Sequence, residues 1–284
     1  MVVKPVRCLK AVAKIQVEFS TLSPFRYPGG KSWLRAKILA WIRSLAVKPR
    51  LFLEAFAGGA SASLAIAEVG IVDRVLMIER DPQVAAVWKV IFGDDYRKLI
   101  RLIQSFKMSR DAVLEVFSSH PRDTLETAFC CLLQNRVSRG GIIAEGAGIL
   151  RNGENGRGLA SRWYPETLVD RIERIHALSD RIRIRQGDGL TDIHRLREDD
   201  RVAVFADPPY TTPSKAPGRR LYRFGSIDHR LLFRELKRSA GSFLLTYHSC
   251  SEIRVLAHEH TFTMKRVAMR TTHHRRRFEL LITR

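Results

Sequence analysis

Four consecutive residues carry the strongest chemical signal in this chain. Asp207-Pro208-Pro209-Tyr210 directly follows the apolar run Val202-Ala203-Val204-Phe205-Ala206, which reads as a buried β-strand. In open α/β sheets ligands gather beyond the carboxyl ends of the strands, so the tetrapeptide is delivered to a functional edge. Asp207 offers a carboxylate acceptor and the Pro208 carbonyl a second one. Successive prolines fix φ and donate no hydrogen bond of their own. Such a grip suits a planar exocyclic amine like that of adenine, whose lone pair is spread into the ring until its N–H groups are held by acceptors. Tyr210 adds a flat face for base stacking, worth about 1–3 kcal/mol in comparable contacts.

A second group of residues points to a nucleoside-like ligand. Phe56-Ala57-Gly58-Gly59-Ala60-Ser61 closes another apolar strand with a glycine turn, where backbone can approach a ligand closely. Glu79 ends the next strand 79 − 58 = 21 residues later, near the offset at which an acid receives ribose hydroxyls. Ala60 and Ser63 break the GxGxxG pattern, which disfavours a nicotinamide cofactor. Gly187-Asp188-Gly189 follows a further strand and supplies another carboxylate, suited to an adenine amino group, although an Asp-Gly pair also serves as an ordinary turn. Tyr27-Pro28-Gly29-Gly30-Lys31-Ser32 lacks the first glycine of a phosphate loop, because Phe25 stands there. What it offers is a glycine turn that presents Lys31 and Tyr27 at a helix start. His248 beside Ser249 and Cys250 is a poor hydrolase pair, since neighbours on a strand face opposite ways. Cys8, Cys130, Cys131 and Cys250 have neither metal-ligand spacing nor the density of a disulfide scaffold, so no metal is expected.

These residues need a scaffold, and the 284 residues suffice for one large domain or a domain with an insertion. The composition, 45% hydrophobic and 27% charged, is that of a globular chain. No apolar run approaches the ~20 residues that span a bilayer, and residues 1–20 lack a signal peptide's apolar core, so a cytoplasmic location is expected. Residues 32–46 read as an amphipathic helix, followed by strand, glycine turn, helix, strand and helix to Gly93, the pattern of a doubly wound parallel sheet. From Tyr96 to Ser138 the periodicity is helical, 140–158 reads as a glycine-rich loop, and 164–178 is helical again. Strands resume at 181–185, 201–206, 242–247, 261–269 and 278–283. The expectation is an α/β core of residues 21–93 and 181–284, a helical insertion at 94–180, and an extension of unknown role at 1–20.

Charge indicates the partner. Lys and Arg number 49 against 29 Asp and Glu, an excess of +20. Residues 1–50 hold eleven Lys/Arg against Glu18 alone, and Arg275, Arg276 and Arg277 follow His273 and His274. A polyanion, nucleic acid before a membrane surface, is the natural partner.

Taken in order, Tyr27 to Lys31, Glu54 to Ser61, Glu79, Asp188 and Asp207 to Tyr210 resemble the Dam-like, alpha-group D12 class of DNA adenine-N6 methyltransferases, from about residue 23 onward. The resemblance implies a Rossmann-like methyltransferase sheet, S-adenosylmethionine as methyl donor, double-stranded DNA as substrate, and prokaryotic or phage origin. By it, Tyr27, Gly29, Gly30, Lys31, Phe56, Gly58, Glu79, Asp188 and Asp207 would contact the donor, and Asp207, Pro208, Pro209 and Tyr210 would hold a flipped adenine. Asn135-Arg136 and Arg139 look like the family's DNA-reading segment, and Arg162, Lys215, Arg219, Arg220 and Arg275 to Arg277 are further DNA-contact candidates. Ala55, Ala60 and Glu79 depart from the commonest family residues. A monomer is expected, with a cognate restriction endonuclease as a conceivable partner. The alternatives are methylation of cytosine N4 or RNA adenine, or a phage-derived DNA-binding remnant without catalysis.

Overall fold

The computed structural model describes residues 22–26, 30–144, 146–150, 156, 158–209, 223–270 and 276–284, with backbone alone at 269, 270, 276 and 277. Seven strands form one sheet. They are β1 (Leu51–Glu54), β2 (Arg74–Glu79), β3 (Ile182–Gln186), β4 (Val202–Ala206), β5 (Ser242–His248), β6 (Thr263–Arg270) and β7 (Arg276–Thr283). Their spatial order is β3-β2-β1-β4-β5-β7-β6. The first five are mutually parallel, and β7 enters antiparallel between β5 and β6. The parallel pattern read from the first strands extends through five, and the sheet as a whole is mixed.

Ten α-helices occur among the described residues: α1 (Arg35–Ser44), α2 (Ser61–Val69), α3 (Pro82–Phe92), α4 (Tyr96–Ser105), α5 (Arg110–Ser118), α6 (Thr124–Val137), α7 (Pro165–His176), α8 (Gly189–Leu196), α9 (His229–Arg238) and α10 (Ser251–Glu259). None is long and apolar enough to cross a membrane. The tract read as helical from Tyr96 to Ser138 is three helices. Ser109 and Asp123 accept from the N–H groups of Ala112 and Glu126, and so start α5 and α6 afresh.

Both faces of the sheet are covered, as a parallel sheet requires. Neighbouring residues on one strand go to opposite layers. Phe52 and Phe205 pack with α1, α2, α3 and the helices of 94–180, while Leu53 and Val204 pack with α8, α9 and α10. The segment 94–180 has no core of its own. Leu132, Leu133 and Val137 of α6 and Leu168 and Ile172 of α7 share one apolar cluster with Val84, Trp88 and Ile91 of α3. The order of the strands reverses between β1 and β4, which opens a crevice at their carboxyl ends.

Candidate active site

Four carboxylates stand at that edge, one at or just beyond the end of each of β1 to β4. Glu54 ends β1 and is buried, and its Oε2 accepts the Ser63 N–H at 2.8 Å. It thereby caps α2, whose own N-cap position is Ala60 and has no side chain able to do so. Ala60 has φ +51°, in the left-handed region that favours glycine. Glu79 ends β2. Its Oε2 accepts from Gly58 N at 2.7 Å and its Oε1 from Asp81 N at 2.8 Å, so it ties the glycine turn to the second strand. Each oxygen retains a lone pair for a hydroxyl donor. The same turn is held from above by Trp88, whose Nε1 donates to the Gly58 carbonyl at 2.9 Å.

Asp188 follows β3. It caps α8 by accepting the Leu190 N–H at 2.9 Å, and its other oxygen lies 3.8 Å from the Arg80 guanidinium. The ordinary-turn role and an exposed carboxylate thus coexist in one residue. Gly189 behind it is required sterically, because a Cβ there would stand 2.0 Å from the Ala55 carbonyl oxygen. The turns after β1 and β3 meet backbone to backbone.

Asp207 follows β4 directly beside β1, with Glu54 in register with Phe205. Its side chain is 20% exposed. Thr246 Oγ1 of β5 donates to Asp207 Oδ1 at 2.6 Å, and Lys31 Nζ donates to Oδ2 at 2.9 Å. Lys31 is buried at the start of a short 3-10 turn (Ser32–Leu34), where its carbonyl accepts from Leu34 N at 2.8 Å. The same ammonium is 3.6 Å from Glu279 Oε1 on β7. Pro208 is buried and Pro209 half-buried. The site therefore presents a carboxylate with two fixed partners, which can still accept from an amine through its remaining lone pairs.

Burial strains these acids. It raises Glu54 to about 8 and Glu79 to about 7, against hydrogen bonds that favour their charged forms. Burial and the Asp207 charge raise Glu279 to about 7, with Lys31 opposing. Burial pulls the Lys31 ammonium down, but Asp207 and Glu279 together outweigh it and leave it raised. An acid raised from 4.5 on folding contributes stability that is fully present below that value and lost as pH climbs through its folded pKa. The melting temperature should accordingly fall from this source between pH 5 and 8 and then level off. Calorimetry on Glu54→Gln, which removes one of the three groups, should give a shallower fall; an unchanged slope would contradict the assignment.

Of the proposed donor residues, Lys31, Phe56, Gly58, Glu79, Asp188 and Asp207 all lie at or just beyond the carboxyl ends of the strands or in contact with residues there. Gly30 is exposed beside Lys31. Tyr27, Gly29, Tyr210, Lys215, Arg219, Arg220 and Arg275 lie outside the described residues, and Arg276 and Arg277 are described only as backbone of β7. Arg139 is exposed and Arg162 half-buried.

Asn135 and Arg136 are both buried. Asn135 Oδ1 accepts from Arg26 N at 2.8 Å, and its Nδ2 donates to Gly141 O at 2.7 Å and Arg26 O at 3.3 Å. Arg136 donates to the Pro24 carbonyl, and Arg171 of α7 to that of Ser23 at 3.0 Å. Desolvation lowers the Arg136 guanidinium to about 10. In this conformation these groups clamp the backbone ahead of Lys31. Arg136→Met should therefore cost about 1–3 kcal/mol of stability with the salt dependence of DNA binding unchanged. Arg139→Ala should leave the fold intact and lower the salt slope by about 1. Chemical denaturation and binding isotherms at several salt concentrations check both, and the reverse pattern would reinstate Arg136 as a DNA contact.

Sequence reasoning missed Glu279, Thr246 and Trp88. Glu279 carried a readable signal as an acid inside Phe278-Glu279-Leu280-Leu281-Ile282, since a carboxylate in a buried strand needs a partner. Thr246 and Trp88 looked like strand and helix packing residues.

The donor set fits S-adenosylmethionine. Carboxylates on adjacent strand ends are acceptors, and the cosubstrate offers ribose hydroxyls, amines and a cationic sulfur; the glycine turn allows close backbone approach.

Comparison with known proteins bears on the same conclusion. No curated protein matches the chain. Among solved structures, it is similar to the rRNA methyltransferase aviRa from Streptomyces viridochromogenes, at 13% identity and TM-score 0.41, covering 94% of this chain and 93% of that one. It is also similar to a precorrin-6y C5,15-methyltransferase from Geobacter metallireducens, at 11% identity and TM-score 0.37, covering 88% and 86%. A third is a putative RNA methyltransferase from Pyrococcus horikoshii, at 10% identity and TM-score 0.38, covering 93% and 86%. Similarity at this level carries no argument about substrate. The profile of the D12 class N6 adenine-specific DNA methyltransferases matches residues 27–272. With the sheet, the acidic strand ends and Asp207-Pro208-Pro209 in place, the chain belongs to the D12 class of S-adenosylmethionine-dependent N6-adenine DNA methyltransferases.

Proposed function

We propose that this protein methylates N6 of an adenine flipped out of a specific duplex DNA site. The observation that carries the reading is Asp207, held beside the β1 turn by Thr246 and Lys31. Asp207 accepts one N–H of the target amine and the Pro208 carbonyl the other, which draws the N6 lone pair out of the ring. Bound S-adenosylmethionine supplies an already activated methyl group on a sulfonium sulfur. N6 forms the new C–N bond, the C–S electron pair remains on sulfur, and the acidic N-methylated amine passes one proton to water. Polarisation and alignment thus account for the catalysis, with no strong base required. Glu79 and Asp188 accept from hydroxyl and amine groups of the donor, and the DNA follows the basic surface that includes Arg139.

Extrusion is a consequence of reach, since a base inside the duplex cannot enter the crevice. Incubation with methyl-labelled S-adenosylmethionine and unmethylated duplex, then digestion to nucleosides, should put label in N6-methyl-2′-deoxyadenosine. Label in N4-methylcytosine or only in RNA would overturn the substrate, and no label at all would indicate a DNA-binding remnant. A 2-aminopurine at the target position should brighten on binding as it leaves the stack.

A further inference from the structure

One buried acid has no part in the chemistry described so far. Glu279 lies on β7, 5% exposed, and pairs across the sheet with His248, two residues beyond the Thr246 that holds Asp207. Its Oε1 is 3.6 Å from Lys31 Nζ, and its Oε2 has no hydrogen-bond partner among the described residues. Two carboxylates therefore share one ammonium in a desolvated setting. Removing either leaves the other charges to readjust, and buried charges left without a partner are costly. A packing role does not account for a carboxylate here, because an apolar residue would fill the strand without that cost.

We propose that Glu279 is a positioning residue for methyl transfer, which grips the Lys31 ammonium from β7 and so keeps it on Asp207 Oδ2. The antiparallel entry of β7 makes this arrangement possible, since it brings a residue near the start of that strand to the edge where the parallel strands end. Lys31 then fixes the direction of the Asp207 lone pairs that remain for the target amine. The proposal rests on Asp207 being the acceptor of that amine. The charged groups facing Glu279 are Lys31 and Asp207; its flanking strands pair it with His248 and Val267, while Arg266 lies over the Phe278 ring on the opposite face. The raised titration of the Lys31 ammonium agrees with two acidic neighbours.

Glu279→Gln keeps the shape of the side chain and removes its charge, so a packing role would leave it silent. It should slow single-turnover transfer roughly tenfold or more at saturating donor and DNA, with KM little changed. Glu279→Asp, which restores the charge one methylene back, should recover part of the rate and keeps the test open if Glu279→Gln folds poorly. In the ligand-free protein the Lys31 ammonium should titrate lower in Glu279→Gln, followed by 15N NMR and assigned by the signal lost in Lys31→Met. A rate within about twofold of wild type, or a slower rate with an unshifted Lys31 titration, would overturn the proposal. If the wild type transfers no methyl group to adenine, the reading of Asp207 fails instead, while the titration still decides whether Glu279 holds the lysine.

Discussion

Asp207→Asn is expected to lower methyl transfer by on the order of 10³-fold, the scale set by losing a principal electrostatic contact to the reacting group. The two oxygens have different donors, Thr246 on one and Lys31 on the other. An amide can accept on only one side. Its oxygen should turn to the Lys31 ammonium and its NH2 to the Thr246 hydroxyl, which can accept as well as donate. The target amine then meets a neutral carbonyl with fewer lone pairs. Among the described residues Lys31 keeps Glu279 as its carboxylate partner, so the melting temperature should drop as well. DNA affinity at low salt should persist, because it comes from phosphate contacts made by basic side chains. Single-turnover rates and fluorescence anisotropy on the same preparation separate these effects. Transfer within about tenfold of wild type would remove Asp207 from its assigned role.

Gly189→Ala should be the most damaging small substitution at the crevice, costing about 2–3 kcal/mol of stability and weakening donor binding with it. The added methyl would sit 2.0 Å from the Ala55 carbonyl oxygen and 2.8 Å from its carbon. Both obstacles are backbone of the β1 turn, which cannot rotate aside as a side chain could. Relief requires moving that turn, and with it Gly58 and the Glu79 hydrogen bond. Gly187 is the internal control, since nothing lies within 4 Å of a Cβ built there. Denaturant melts and donor-binding calorimetry should find Gly187→Ala close to wild type in stability and Gly189→Ala well below it. Equal stability of the two would mean that the turns after β1 and β3 can part without penalty.

Most of the parallel half of the molecule was legible because its signals are local. Apolar runs ending in Gly58-Gly59, Glu79, Gly187-Asp188 and Asp207-Pro208 mark strand ends directly, and the Asp81-Pro82 start of α3 is a cap that needs no tertiary information. The short helices α8, α9 and α10 went unread. Their starts are capped by Asp188 and Asp228 in the first two, but Asp188 had been weighed only as a ligand or a turn. How the insertion packs was not legible, because periodicity reveals which face of α6 is apolar and not what it packs against; here that partner is α3. The burial of Asn135 and Arg136 was illegible for a similar reason. Polar residues at a helix end look solvent-facing until a remote segment, residues 23–26, supplies carbonyls for them to bind. Glu279 was hidden by distance in sequence, since nothing near it announces that Lys31 is its counter-ion.

The position of β7 between β5 and β6 has a further implication for how the molecule assembles. Among the described residues the strand that immediately precedes it, β6, has no sheet neighbour other than β7. Residues 263–270 therefore have nowhere to pair until residues 276–283 have formed a hairpin with them and docked on β5. Docking of that hairpin is also the event that joins Lys31 to Glu279. The second carboxylate on Lys31 is thus supplied by the one antiparallel pairing at the edge of the parallel strands, whereas the first, Asp207, belongs to the parallel set itself.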